Sequence, residues 1–200
     1  MDDTKPTNGP AQQETETEQE AGPTSPVLDR LLAEKPDAVE DSEFQHGVPV
    51  VRVRPRDVLD VCRFLHDEPA CRMTHLSSLS AVDMSASERK TPRFDVVCHL
   101  YGVETNQRLT LKVGVEDGAE VPSLTPIWKT ANWHEREAYD MFGIRFAGHE
   151  DLRRILMPDE FDAFPLRKDF PLEGREKDHG YWRKPEDESR YTYAPPKKEA

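Results

Sequence analysis

Residues 94–115 read FDVVCHLYGVETNQRLTLKVGV, and the reading of this stretch decides the fold. Residues 94–101 and 108–115 have the β-branched, alternating character of strands. Between them GVETNQ supplies Gly102 and Asn106, residue types that let a chain reverse over a short link. Two strands joined this way are antiparallel neighbours. A doubly wound parallel sheet, built from strict strand–helix alternation, has no place for such a hairpin.

Working outward, a third strand signal lies at 73–83, joined to the hairpin by the polar loop 85–92, SASERKTP. Upstream, VPVVRVR at 48–54 alternates as a half-buried strand does. Pro55 suits the first turn of a helix carrying Val58, Leu59, Val61, Cys62 and Leu65 at three-to-four spacing. A short helix follows Ser25-Pro26, with Val27, Leu28, Leu31 and Leu32 on one face, and stops before Lys35-Pro36. Downstream a helix is expected from about Pro126 through Met141, ended by Gly143 in the left-handed conformation. The fold class expected is α+β: two layers, helices packed on a mixed sheet, followed by an extended, proline-broken C-terminal arm. The expected divisions are an acidic disordered tail over 1–26, an α/β domain over 27–147, a partner-binding arm over 148–174 and a charged, aromatic tail over 175–200.

The arm and the N-terminal tail are set apart by composition. Residues 1–26 contain no aromatic or branched aliphatic side chain and cannot offset the entropy of ordering. Residues 1–45 hold twelve Asp/Glu against Lys5, Arg30 and Lys35, which accounts for most of the net charge of −12. No basic patch offsets this acid, which argues against a nucleic-acid binder. The same segment lacks the apolar run of a signal peptide and the arginine-rich character of a transit peptide, which points to a bacterial cytoplasmic protein. Mean hydropathy is −0.80, and no window approaches the roughly 18 apolar residues of a membrane span. In the arm, Pro158, Pro165 and Pro171 forbid a long helix or a central strand. Its many apolar residues, Leu166 among them, nevertheless need a surface to lie on, which a partner would supply.

NWHEREAYDMFGIRF, residues 132–146, raises the question of chemistry. His134-Glu135 opens like the zinc-protease motif H-E-x-x-H, but the fifth position is Ala138. Glu135 and Glu137 are two apart, so on a helix they point to different sides and cannot flank one bond as a glycosidase pair. No G-x-S-x-G elbow and no phosphate-cradling glycine loop is present. Cys62, Cys71 and Cys98 form no C-x-x-C pair and too few thiolates for an iron–sulfur cluster, so no metal or cluster site is expected. What remains is a capped helix on which Arg136 and Asp140, four apart, can pair, with Trp133 and Glu137 near the same stripe. Two basic clusters follow, Arg153-Arg154 and Arg167-Lys168. Arginine among aromatics is interface composition rather than plain surface.

EREAYDMFGIRFAGHEDLRRIL, residues 135–156, and the continuation MPDEFDAFPLRKDFPLEG carry a family resemblance. The run resembles the signature of the C subunit, or 30-kDa subunit, of proton-translocating NADH:quinone oxidoreductase, respiratory complex I. The matching positions are Glu135-Arg136-Glu137, Asp140, Met141-Phe142, His149, Arg153, Ile155-Leu156 and the Pro-Leu-Arg-Lys-Asp segment ending at Asp169. The resemblance implies a structural subunit of the peripheral arm, without catalytic site or cofactor, at the cytoplasmic face of the bacterial membrane. Its implied partners are the quinone-site (49-kDa, or D) subunit and a neighbouring cluster-carrying subunit. NADH, FMN, iron–sulfur clusters and quinone would belong to the complex as a whole. The interface would comprise Glu135, Arg136, Glu137, Asp140, His149, Arg153, Arg154, Leu166, Arg167, Lys168 and Asp169. Two other readings are a subunit of a related membrane-bound hydrogenase, formate hydrogenlyase or plastoquinone-reducing complex, and an independent hydrolase using His134 or His149.

Overall fold

The computed structural model describes residues 24–88 and 91–175. Of the tails expected over 1–26 and 175–200, residues 1–23 and 176–200 lie outside the described residues.

The hairpin forms as its sequence requires. Strands β4 (Phe94–Gly102) and β5 (Gln107–Val115) pair antiparallel from Phe94 opposite Val115 to Gly102 opposite Gln107, and Asn106 takes a φ of 52° in the turn. Strand β3 (His75–Asp83) pairs antiparallel with β4. A register shift between Leu76 and Ser78 allows Leu76 and Leu79, three apart, both to face the core. Strand β2 (Val48–Val53) pairs with β5 in parallel, and β1 (Val39–Gln45) with β2 antiparallel, giving the mixed order β1-β2-β5-β4-β3.

Strand β1 escapes sequence pattern reading because VEDSEFQ does not alternate apolar and polar residues. It forms because His46 and Gly47, both at positive φ, turn the chain back and place it beside β2.

Helices α1 (Pro26–Glu34), α2 (Val58–Asp67) and α3 (Ala131–Phe142) supply the second layer. Ser25 caps α1, its hydroxyl accepting the Leu28 N–H at 3.4 Å, and Pro26 occupies the first turn. The apolar stripes of the helices, including Val27, Leu31, Val61, Leu65, Ala138 and Met141, join the inward residues of the sheet in one core. The α+β architecture expected from the hairpin is the one observed.

The third helix begins later than expected, at Ala131 rather than near Pro126. Residues 124–130 make single turns instead, because tertiary contacts hold them. The Trp128 indole N–H donates to Met73 O at 3.1 Å, and the Leu124 N–H donates to the Glu135 carboxylate at 2.6 Å. A short second sheet pairs β6 (Glu120–Pro122) in parallel with β7 (Arg145–Ala147). Past Ala147 the described chain has no helix or strand, as its prolines require.

Candidate functional site

The site is the junction between the end of α3 and the arm. Gly143, at φ 78°, ends the helix in the left-handed conformation, and its N–H donates to Tyr139 O at 2.8 Å. A Cβ at this position would meet the Phe164 ring at 2.6 Å and the Arg167 guanidinium at 2.9 Å. Glycine therefore serves both the turn and the close approach of the arm.

Asp140 is wholly buried and turned toward the arm. One carboxylate oxygen accepts three successive backbone N–H groups, from Ile155 at 3.0 Å, Leu156 at 2.7 Å and Met157 at 2.9 Å. The other oxygen accepts from the Arg154 guanidinium at 2.5 Å. Burial pushes the Asp140 carboxyl up, but the N–H groups of Met157 and Leu156, the Arg154 guanidinium and the Ile155 N–H outweigh it and hold the group below its ordinary value. Arg154 also donates to Asp140 O and Ala163 O and lies over the rings of Phe161 and Phe164. Each buried charge is thus paired and hydrogen-bonded, which is the condition for placing it away from water.

The pairing of Arg136 with Asp140 expected from helical spacing does not occur. Arg136 donates instead to Arg153 O at 3.2 Å and Arg154 O at 3.1 Å, and stacks on Trp133 at 5.1 Å. The arm passes close enough to compete, and its geometry with Arg154 satisfies more of the Asp140 lone pairs than a pair along the helix would.

A second clamp forms where the arm crosses the sheet end. Arg167 donates to Phe142 O at 2.6 Å and grips both oxygens of Asp117 at 2.9 and 3.1 Å. Its guanidinium lies over Phe164 at 4.8 Å and Phe94 at 5.1 Å. Arg93 joins Asp83, Asp117 and Asp169, while the Lys168 backbone N–H donates to Asp83 at 2.9 Å. Burial raises the Asp83 carboxyl, yet the N–H groups of Lys168 and Ser85 and the Arg93 guanidinium bring it down to about 2.

Glu135 is fully enclosed on the opposite side of α3. It accepts from the Ser123 hydroxyl at 2.7 Å and from Leu124 N–H, and burial raises its carboxyl above the ordinary value despite these bonds. His149 accepts the Asp151 N–H at one ring nitrogen and lies 3.2 Å from Asn132 O at the other, so both nitrogens are held by backbone groups. That arrangement suits a turn brace rather than a general base. Among the described residues no group of three His, Cys, Asp or Glu side chains is placed to hold a metal ion, and no helix is long and apolar enough to cross a membrane.

The residues singled out in the sequence therefore divide. Asp140, Arg154, Arg136 and Arg167 come together and bind the arm to its own domain; Glu135 and Asp140, with no exposed surface, have their partners within the chain. Within the chain, Asp140 of α3 pairs with Arg154, Asp117 in the turn after β5 pairs with Arg167, and Asp83 of β3 accepts the Lys168 N–H. Glu137, Arg153, Leu166, Lys168 and Asp169 remain exposed. Sequence reading missed Asp83, Arg93 and Asp117, whose local context carries no signal and which only the sheet brings to the arm. It also missed that Trp133, Leu156 and Leu172 stand in solvent at 60%, 62% and 103% exposure.

Residues 51–176 match the family model for the respiratory-chain NADH dehydrogenase, 30 Kd subunit. The NADH-quinone oxidoreductase C subunit 2 of Rhizobium etli (strain CIAT 652) is 47% identical over 150 residues, spanning 75% of this chain and 76% of that protein. The NADH-quinone oxidoreductase C subunit of Roseiflexus sp. (strain RS-1) is 49% identical over 151 residues, spanning 75% of this chain and 85% of its own. Among solved structures, Nqo5 as a trypsin-resistant fragment (1–134) matches with a TM-score of 0.55 and 27% identity, over 63% of this chain and 99% of that one. A chain of the membrane-bound sulfane sulfur reductase, an archaeal respiratory membrane complex, matches with a TM-score of 0.59 over 73% of this chain and 84% of that one; at 23% identity this likeness bears on the fold alone.

Proposed function

The chain belongs to the 30-kDa subunit family of respiratory-chain NADH dehydrogenases, and from that premise we propose that it is a cofactor-free docking subunit of a proton-pumping NADH:quinone oxidoreductase. It sits in the peripheral arm of that complex, on the cytoplasmic face of the bacterial membrane, and positions the quinone-site subunit beside a cluster-carrying neighbour. NADH, FMN, iron–sulfur clusters and quinone are bound by other subunits.

The observation that carries the reading is the two-sided character of the arm. Arg154 and Arg167 are turned inward on Asp140 and Asp117, and the Lys168 backbone N–H on Asp83, while Leu156, Leu166 and Leu172 are turned outward at 62%, 52% and 103% exposure. Trp133 stands out from α3 at 60%. A single exposed leucine is ordinary, but a chain segment that is anchored through two inward-turned arginines and exposes three leucines is suited to a partner surface. Arg153, Glu137 and Lys168 supply the polar surroundings such an interface requires.

The test is a Leu156→Asp, Leu166→Asp, Leu172→Asp variant expressed within its complex. The purified chain should keep native circular dichroism, because none of the three leucines is buried in its fold. Co-purification with the quinone-site subunit should be lost, and quinone reductase activity should fall in proportion. Complete assembly of the variant removes the docking assignment; complete assembly with slow turnover transfers the arm to the reaction itself. One metal or flavin per purified chain would overturn the cofactor-free part.

A further inference from the structure

Alternation along the strands sends one set of side chains to the helices and the other to an open face. On that face Val50, Val97, His99, Arg108, Thr110 and Lys112 line a groove of about 700 Å³. Its layout follows from the ladder. Arg108 stands opposite Tyr101, and Tyr101 opposite His75; two residues on, Thr110 lies between Val50 and His99; two further, Lys112 lies between Arg52 and Val97. The middle row is neutral, with one cation of β5 on each side of it. Arg108 and Lys112 are four residues apart along the strand, roughly 13 Å.

Charge sets this groove apart from the rest of the molecule. The chain carries 39 Asp and Glu against 27 Lys and Arg, yet neither Asp nor Glu lines the groove. The adjoining cation, Arg52, is answered by both oxygens of Asp95 at 2.9 Å. Arg108 lies over the Tyr101 ring at 5.9 Å and makes no ion pair among the described residues. Lys112 meets only Glu43 among them, at 3.8 Å, and more than half of that side chain is exposed. Between the two cations His99 is occupied, its Nδ1 3.0 Å from the Thr110 hydroxyl, and Val50 is buried.

Two cations held that far apart suit a ligand with two separate anionic groups. A small inorganic anion answers one of them at a time. An extended chain with acids at positions i and i+4 presents both carboxylates from one side at the spacing of the strand beneath, and sets residue i+2 over Val50 and Thr110.

We propose that the groove receives an extended segment of another subunit of the complex, in which two carboxylates four residues apart flank an apolar side chain. It rests on the docking-subunit reading above, and adds a second contact on the sheet to the one on the arm. Exposed ion pairs contribute little affinity and are screened by salt. Their use here is register, because a two-residue slip of the segment brings its apolar side chain over a cation.

The test is carbodiimide cross-linking of the purified complex, which joins an amine to a carboxylate in contact with it, read by peptide mass spectrometry. Lys112 should be joined to an Asp or Glu of another subunit that has a second acid four residues away. Lys112→Arg should abolish the link and leave the subunit assembled, because the charge is kept and the amine is not. Arg108→Glu should leave the circular dichroism of the chain unchanged. In the complex it should lower the yield of the Lys112 link at least about tenfold, since like charges across an interface are strongly disfavoured. A Lys112 link to Glu43 alone, no link, or an undiminished link in Arg108→Glu overturns the proposal. So does a link to an acid with no second acid four residues away, and so does a link to a second copy of this chain, which assigns the groove to self-association. The two readings fail separately: an absent link beside lost assembly in the triple-leucine variant removes the groove alone, whereas full assembly of that variant removes the docking arm.

Discussion

Arg154 and Asp140 meet at 2.5 Å across fourteen residues of sequence, and the three peptide groups that follow Arg154 close around the same carboxylate. The arginine brings the arm to α3, and the N–H groups of 155–157 fix its direction. Asp140→Ala should therefore cost about 3–5 kcal/mol, the usual consequence of leaving one partner of a buried ion pair alone. Asp140→Asn keeps one acceptor oxygen and should cost less. Urea denaturation measures both, and limited proteolysis should cut the variants first within 148–175. Equal stability of Asp140→Ala and the starting protein would exclude the latch.

Gly143→Ala tests the helix end independently of charge. The left-handed backbone costs a residue with a Cβ about 1–2 kcal/mol, and the new methyl group would displace Phe164 and the Arg167 guanidinium. The loss should exceed that backbone figure and should be accompanied by release of the arm, read as faster amide exchange at Leu166, whose N–H donates to Met141 O. Unchanged exchange at Leu166 would mean that the arm is not seated on this turn.

The two clamps make the fold acid-sensitive. Asp83, held at about 2 against an ordinary 3.8, contributes stability that is present above pH 4 and lost as pH falls toward 2, roughly 2 kcal/mol in all. Asp140, also lowered, acts in the same direction. Glu135 opposes them: burial raises its carboxyl, so its protonation favours the fold as pH falls. Stability measured against pH should decline below pH 4, and Asp83→Asn should flatten that slope. An identical slope in the variant would remove Asp83 as its origin.

The thiols should be inert in the native protein. Burial pushes Cys98 up to about 12, aided by the charge of Glu135, and pushes Cys71 up to about 11; Cys62 is raised as well, by burial and then by Cys98. Because the thiolate is the reacting species, an aromatic disulfide reagent at pH 8 should modify none of them rapidly, and all three after unfolding. Rapid native labelling of any one would place it nearer the surface than the fold does.

The sequence by itself determined the elements whose signals are local. The hairpin of β4 and β5, the proline-started helices, the glycine stop at 143 and the irregular course of the described chain beyond Ala147 follow from side-chain period and backbone restriction within a few residues. The density of charge around 135–154 marked the right region without assigning its partners, and the run EREAYDMFGIRF carried the family. Tertiary structure alone decided the rest. It formed β1 from a charged segment by giving it a neighbour, delayed α3 by holding Trp128 and Leu124, and broke the expected Arg136–Asp140 pair by bringing Arg154 closer. It also turned the arm inward on Asp83 and Asp117, 85 and 50 residues from the groups they bind. Spacing along a helix limits which groups can meet; desolvation and competition among all available partners, which no local window contains, select the ones that do.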